Sequence, residues 1–459
     1  MTNAPLMLSV SGARGIVGET MTPEFAQTYA NAFVVFLAKK LGRLPILCVA
    51  RDSRPSGPSL QNAVADAFLR CGCSVTDLGV VATPTAGVMI HTIGADGGII
   101  VTASHNPSPW NGLKCLDGDG LAPSKEEAEE IINNYHEERV LESKEGGNLQ
   151  VNTQGNDTHI AKLLGLINPA PIREKHFRVV LDSINGAGCE SGLKLLELLG
   201  CDVLHLNGDP TGDFAHVPEP KAENLTDLAE KVHQFDADVG FAQDPDADRL
   251  AIVDETGFYF GEEYTLVLSA MRWLEEHPNT SVATNLSTSR MIDDVANAHG
   301  CEIWRSAVGE ANVANMMKSH NCVIGGEGNG GVIFPDVCWV RDSLAGMVLT
   351  LDLMCRKDEP LSTIVRSVQP YEMIKRTINL EDLGGIPAVE KEIERLKKEY
   401  ADETLDDSDG LRIDFEEGWV HVRPSNTEPI ARVIAEASDS LTAFKLSNRV
   451  KLDRTDSPK

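Results

Sequence analysis

Four short stretches gather residues whose types and spacing suit chemistry. In TASHNP (102–107) Ser104 stands beside His105, and the run continues SPWNGLK to Lys114. Such a serine admits three readings: a hydrolase nucleophile with its base, a surface turn without chemistry, or a serine that carries a phosphoryl group. Neighbours on an extended chain point opposite ways, which places His105 poorly to deprotonate Ser104. No G-x-S-x-G elbow surrounds the serine. The run GGIIV (97–101) reads as a strand, so Ser104 follows a strand end, where open α/β sheets hold ligands. Asn106, Pro107, Pro109, Asn111 and Gly112 make the segment a turn.

The second stretch is FAQDPDADRLAIVDE (241–255), where Asp244, Asp246 and Asp248 alternate with Pro245 and Ala247. On a turn these carboxylates converge, and they repel one another unless a cation sits among them. Hard oxygen donors suit Mg²⁺ or Ca²⁺ rather than zinc. An EF-hand loop would use Glu255 at its twelfth position, but Arg249 occupies the place that loop reserves for glycine. Haloacid-dehalogenase phosphatases use D-x-D but want Thr or Val where Asp248 stands. A solvated acidic turn is the plain alternative.

In the third, VIGGEGNGGVIFP (323–335), five glycines in seven residues allow a ligand to approach the backbone closely. Glu327 supplies an acceptor and Asn329 both a donor and an acceptor, a pairing that suits neighbouring sugar hydroxyls. A plain hairpin is the alternative, and the G-K-[ST] ending of a P-loop is absent. The fourth, VRPSNTEPIARV (422–433), sets Arg423, Ser425, Asn426 and Thr427 between prolines, with Arg432 following. Backbone N–H groups, two hydroxyls and a guanidinium fork suit a phosphate dianion.

The elements that must position these loops alternate apolar β-rich runs with amphipathic stretches. PILCVA, RDSRPSG, LQNAVADAFLRC and GCSVTDLG follow one another from residue 45. The plan returns as FRVVL, DSINGAG, GLKLLELL and GCDVLHL, and more faintly as SVATNLSTS, MIDDVANAH and GCEIWRSAVG. In each copy a glycine (Gly72, Gly200, Gly300) ends the helix and a strand follows. These are βαβ units with right-handed connections. The spacing predicts three tandem related α/β domains with mixed, largely parallel sheets. Residues 371–380 read as a strand, 387–399 as a charged amphipathic helix, and 411–422 as a hairpin around Glu416–Gly418. This is a smaller C-terminal α+β domain. ADETLDDSDG (401–410) reads as a solvated loop. The expected domains are 1–155, 156–255, 256–370 and 371–459.

Of 459 residues 42% are hydrophobic and 24% charged, ordinary for a chain with a buried core. The net charge of −28 argues against a general nucleic-acid binder, which needs a basic face. Anionic ligands must therefore meet local Arg and Lys clusters. No apolar run reaches 18 residues, and the N-terminus lacks a secretory pattern. The ten cysteines show no metal spacing and read as small buried hydrophobes of a reducing compartment. The expectation is a cytoplasmic monomer or homodimer without membrane or nucleic-acid partners.

Taken together, TASHNP, DPDADR, GEGNG and RPSNTEP resemble, in order and approximate spacing, the four signature loops of the α-D-phosphohexomutase superfamily. The likeness covers nearly the whole chain. It implies four domains around a central cleft, the first three of related α/β topology. It implies that Ser104 is phosphorylated, and that Asp244, Asp246 and Asp248 hold Mg²⁺ with the Ser104 phosphate. Arg249 would lie beside the transferring group, Lys114 would assist proton transfer, Arg14 of SGARG would approach the phosphoserine, and His105 would join them as a catalytic residue. Glu327 and Asn329 would grip the sugar. Gly309, in RSAVGE (305–310), would face it. Arg423, Ser425, Asn426, Thr427 and Arg432 would hold the idle phosphate.

The implied activity is phosphoryl transfer between O6 and O1 of a hexose phosphate, through a hexose bisphosphate that also serves as primer. Glucosamine phosphates are the favoured substrates, with glucose and mannose phosphates the alternative. A sugar phosphatase and a non-catalytic phosphosugar-binding protein are the remaining readings. The chain departs from the family's usual D-G-D at Pro245, with the carboxylates all present, and from its usual G-E-x-S-G at Asn329, where asparagine still donates and accepts.

Overall fold

Three left-handed glycines mark the repeat: Gly72, Gly200 and Gly300 have φ of 83°, 76° and 67°, a region where a Cβ is strained. The computed structural model describes residues 5–141, 146–425 and 430–450. In it the strand Ile46–Arg51 runs through the helix Gly57–Arg70 into Ser74–Val80. Arg178–Asp182 runs through Cys189–Leu198 into Asp202–Leu206, and Ser281–Asn285 through Met291–Ala298 into Glu302–Ser306. Each strand pair is parallel.

A third strand pairs in parallel on the far side of the first: Gly97–Val101, Val239–Gln243 and Ile324–Glu327. The chain then turns sharply into an antiparallel fourth: Trp110–Asp117, Leu250–Asp254 and Gly331–Ile333. Each of the three sheets thus contains the same four strands in the same spatial order. The third strands are buried along their whole length, which explains why they read as unbroken apolar or glycine-rich runs. The second and third sheets are mainly parallel, as expected. The first is evenly mixed, because the hairpin Leu6–Ser9 and Gly12–Ile16 adds antiparallel pairings.

The C-terminal unit is an antiparallel five-stranded sheet in the spatial order Glu372–Asn379, Ile430–Ala437, Gly418–Pro424, Leu411–Asp414 and Thr404–Asp406. The helix Ile386–Glu399 covers it with Val389, Ile393 and Leu396. The reading of 401–410 as a loop needs correction. Thr404–Asp406 is an edge strand on Leu411–Asp414, and Asp409 turns inward to Arg423. The acidic composition hid a short Thr-Leu stretch that pairs with Ile413.

One apolar cluster runs through the first three units, from Cys48 through Leu181 and Leu250 to Val282 and Leu344. The cluster of the fourth unit shares no residue with it. Polar contacts join this unit to the third, among them Lys375 to Glu262, Arg290 to Asp414, and Ser287 to His421. No helix among the described residues is long and apolar enough to cross a membrane. All ten cysteines are free thiols.

Candidate active site

The serine, aspartate and sugar stretches occupy one topological position in three successive units, the turn from the third parallel strand into the antiparallel fourth. Each turn passes through a left-handed residue: Ser104 at φ 49°, Ala247 at 54° and Gly330 at 83°. Non-glycine residues are strained there, and such strain collects at functional sites.

The left-handed bend overturns the extended-chain expectation for His105. Its Nδ1 lies 3.4 Å from Ser104 Oγ, because at this φ neighbouring side chains no longer point apart. Arg249 above all, then burial, pushes the His105 imidazole down to about 2. It is neutral at working pH and a feeble base.

Arg54 sets the shape of the serine loop. This buried guanidinium donates to the carbonyls of Ser104 (2.7 Å), Asn106 (2.6 Å), Pro107 (3.0 Å) and Trp110 (2.9 Å). Its Nε donates to Asp52 at 3.0 Å, and the same carboxylate oxygen accepts from Thr102 Oγ1 at 2.7 Å. Arg14 reaches the loop from the N-terminal hairpin and donates to Asn106 Oδ1 at 2.7 Å.

Ser104 Oγ donates to Asp244 Oδ2 at 3.2 Å, which joins the first loop to the second. Both oxygens of Asp244 and one oxygen each of Asp246 and Asp248 are committed to the protein. Asp244 Oδ1 accepts from the N–H groups of Asp248 and Arg249, and Asp246 Oδ2 accepts from Thr83 Oγ1. Asp248 Oδ2 meets Arg341 at 2.6 Å and Lys114 at 3.2 Å. Asp246 Oδ1 and Asp248 Oδ1 are left buried without a hydrogen bond.

The three aspartates offer oxygens within 4.8 Å of one another. Orphaned, buried carboxylate oxygens in such a cluster are the donor set of a hard divalent cation, so the residues fit magnesium. Burial first, then Asp248 and Asp246, pushes Asp244 well above the usual carboxylate range. Burial pushes Asp248 the same way, but Arg341, Lys114 and Arg249 outweigh it and hold that group well below. Lys114 is lifted by Glu310 and Asp248 against the effect of burial. It therefore stays cationic.

In the sugar loop Glu327 is fully engaged. Its Oε1 accepts from Asn285 Nδ2 (2.9 Å) and Gly309 N (3.1 Å), and its Oε2 from Arg341 (2.7 Å) and Asn329 Nδ2 (3.4 Å). Asn329 Oδ1 is buried without a donor. In the fourth unit Arg423 Nε donates to Asp409 at 2.8 Å. The same Asp409 oxygen accepts from the N–H of Val308, the residue before Gly309. Arg432 lies directly across the ladder from Arg423, and Ser425 N donates to the Ile430 carbonyl. Asn426 and Thr427 lie outside the described residues.

Ser104, His105, Arg14, Lys114, Arg249 and the three aspartates thus form one cluster, with Glu327, Asn329 and Gly309 tied to it through Arg341. Arg423 connects through Asp409. Sequence reasoning missed Arg54, Arg341, Glu310 and Asp409. The available signals were an arginine inside RDSRPSG, the Arg-Asp pair that opens the helix Ser343–Lys357, the glutamate that ends RSAVGE and an aspartate of ADETLDDSDG.

Four family models match the chain. Those for phosphoglucomutase/phosphomannomutase alpha/beta/alpha domains I, II and III match residues 7–142, 157–257 and 261–371, and that for the C-terminal domain matches 380–450. A probable phosphoglucosamine mutase of Methanopyrus kandleri is 36% identical over 445 residues, 95% of each chain. A phosphoglucomutase/phosphomannomutase of Thermococcus kodakarensis is 36% identical over 436 residues, 93% of each. Among solved structures, a phosphoglucomutase/phosphomannomutase family protein from Burkholderia thailandensis superposes with a TM-score of 0.85 at 24% identity. That match covers 97% of this chain and 96% of the other.

Proposed function

The chain belongs to the phosphoglucomutase/phosphomannomutase family and is a phosphohexose mutase, and we propose that it interconverts glucosamine 6-phosphate and glucosamine 1-phosphate. The observation that carries the chemistry is Ser104 Oγ, buried and hydrogen-bonded to Asp244 beside two orphaned carboxylate oxygens. The observation that favours an amino sugar is Asn329 Oδ1, a buried acceptor without a donor at the sugar loop. An ammonium, which can only donate, suits that acceptor, and a buried acceptor left unpaired costs about 1–3 kcal/mol.

In this reading Ser104 carries the phosphoryl group. A sugar hydroxyl attacks its phosphorus, the P–Oγ bond breaks, and the hydroxyl proton ends on the serine oxygen. The product is a sugar bisphosphate. It turns end for end, and the reverse transfer of its other phosphate restores phosphoserine. Asp244, Asp246 and Asp248 with the Ser104 phosphate would hold Mg²⁺, which when bound supplies positive charge to the transferring oxygens. Arg249 and Arg14 add charge beside the serine loop. Lys114, held as a cation, is a proton donor rather than a base. His105 is neutral and contributes hydrogen bonding. Arg423, Ser425, Asn426, Thr427 and Arg432 hold the idle phosphate in either sugar orientation. Gly309, Glu327 and Asn329 line the sugar side. A fourth unit joined by polar contacts suits a site that must open for reorientation and then exclude water. We place the reaction in the cytoplasm, a reading supported by the unpaired cysteines.

The alternative, a glucose or mannose phosphate mutase, is supported by the equally similar Thermococcus relative. The test is kcat/KM for the 1-phosphates of glucosamine, glucose and mannose, with Mg²⁺ and a hexose bisphosphate primer. A preference for glucosamine 1-phosphate of about tenfold, or 1.4 kcal/mol in transition-state binding, is expected. Equal or faster turnover of glucose or mannose 1-phosphate would move the assignment to the alternative. Phosphate release without isomerisation would make the protein a phosphatase.

A further inference from the structure

The Arg341 side chain is buried and bridges loops of two units. Its Nη2 donates to Asp248 Oδ2 at 2.6 Å and its Nη1 to Glu327 Oε2 at 2.7 Å. Its Nε lies 3.1 Å from Glu310 Oε2, which also accepts from the Arg341 backbone N–H. Lys114 closes a ring, 3.2 Å from Asp248 and 3.6 Å from Glu310. The sugar loop leaves room for this guanidinium stem, since a Cβ at Gly331 would collide with Cδ of Arg341. Gly331 and Arg341 are therefore a matched pair.

We propose that Arg341 is a counter-cation shared between the two loops, weakening the aspartates' hold on their metal while keeping Glu327 ionised and oriented for the sugar. The inference rests on the mutase reading of the site. A cation on one oxygen of Asp248 reduces the charge its other oxygen, Oδ1, offers to a metal. The same guanidinium is the only cation bonded to Glu327 among the described residues. It thus acts on the two ligands with opposite sign. Removing it strengthens metal binding and weakens sugar binding. A merely structural arginine, once lost, would loosen both sites and weaken both. Arg341 is a positioning residue, since it acts through Asp248 and Glu327.

The test is Arg341→Met in the full-length protein, with binding measured directly rather than through turnover. Mn²⁺ binding is followed by the electron paramagnetic resonance signal of the free ion. Sugar-phosphate binding is followed by calorimetry with whichever of glucosamine, glucose and mannose 1-phosphate the unsubstituted protein binds best. The Mn²⁺ dissociation constant should fall threefold or more and the sugar-phosphate constant rise tenfold or more. Both constants rising together, or both staying within twofold, would overturn the proposal. If that variant does not fold, Arg341→Lys decides. It keeps the charge at Asp248 but cannot fork to Glu327. The Mn²⁺ constant should stay within twofold while the sugar-phosphate constant rises at least threefold, and unchanged sugar binding would sink the idea. Neither readout needs isomerisation, so failure of the mutase reading would show separately, as unsubstituted protein that binds both ligands without turnover.

Discussion

Arg54 and Arg341 are both buried, and each ends in a loop of the site, yet their guanidinium groups meet different partners. Arg54 donates to four backbone carbonyls of the serine loop and to one carboxylate, Asp52. Arg341 meets three carboxylates, Asp248, Glu310 and Glu327. The first fixes the path of a backbone and leaves the side chains of Ser104, His105 and Asn106 to other partners. The second engages the working side chains themselves, so it sets their charge as well as their place. In-line phosphoryl transfer needs a fixed phosphorus, whereas a sugar that turns over must be gripped and released. The serine loop is built for position and the sugar loop for balance.

The largest expected effect isolates the serine loop's reacting group. Ser104→Ala should lower isomerisation by about 10⁴-fold or more, the scale on which losing a covalent nucleophile registers, with the fold intact by circular dichroism. Near-normal turnover in that variant would end the phosphoserine reading and leave the loop without a role that needs such rigid support.

Arg54→Met comes next, because it alters the loop's path without touching a reacting group. It leaves four carbonyls short of a donor and Asp52 as a buried, unpaired charge. The stability loss should be about 3–5 kcal/mol, typical of a broken buried pair, read by urea denaturation. The rate kcat should fall about 10²-fold, since misplacing a reacting atom by an ångström costs that much, while KM changes less. Adding Asp52→Asn should return part of the stability and none of the rate. If the double variant regains both, Arg54 balances charge as Arg341 does, and the contrast between the two loops dissolves.

What the sequence made legible follows the same division. The reacting groups were readable because they cluster along the chain: Ser104 with His105, three aspartates in five residues, Glu327 beside Asn329. The repeated strand, helix and glycine pattern was readable because each copy is contiguous. The two arginines were not, since Arg54 acts on a residue 50 positions away and Arg341 on one 93 away. Only the stacking of units brings those partners together. The bend at Ser104 was missed for a related reason. A left-handed serine has no compositional signature, and only the fold imposes it.

On the sugar side, Asn329→Ala removes the unpaired acceptor and leaves the Arg341–Glu327 pair in place. The preference for glucosamine 1-phosphate over glucose 1-phosphate should shrink by up to about tenfold, or 1.4 kcal/mol, in paired kcat/KM measurements. Turnover of glucose 1-phosphate should stay within about threefold of the unsubstituted enzyme. An unchanged preference would move the discrimination to Glu327, and with it to Arg341.

The smallest effect tests the support behind the sugar loop. Glu263 begins the helix Glu263–Leu274 and accepts from Ser289 N at 3.1 Å. Its carboxylate fills the space a side chain at Gly328 would need. Burial first, with Glu262 and Glu436 adding to it against Lys375, raises this acid from 4.5 to about 8. Between those pH values the folded protein binds a proton that the unfolded chain does not, so stability from this group falls as pH rises through that window. Glu263→Gln mimics the protonated form. It should leave stability nearly unchanged near pH 5 and raise it at pH 8.5 by about 1–2 kcal/mol, read as a difference in urea midpoint. A Glu263→Gln gain equal at both pH values would mean that the carboxylate is ionised throughout, and that the support behind the sugar loop takes up no proton over this range.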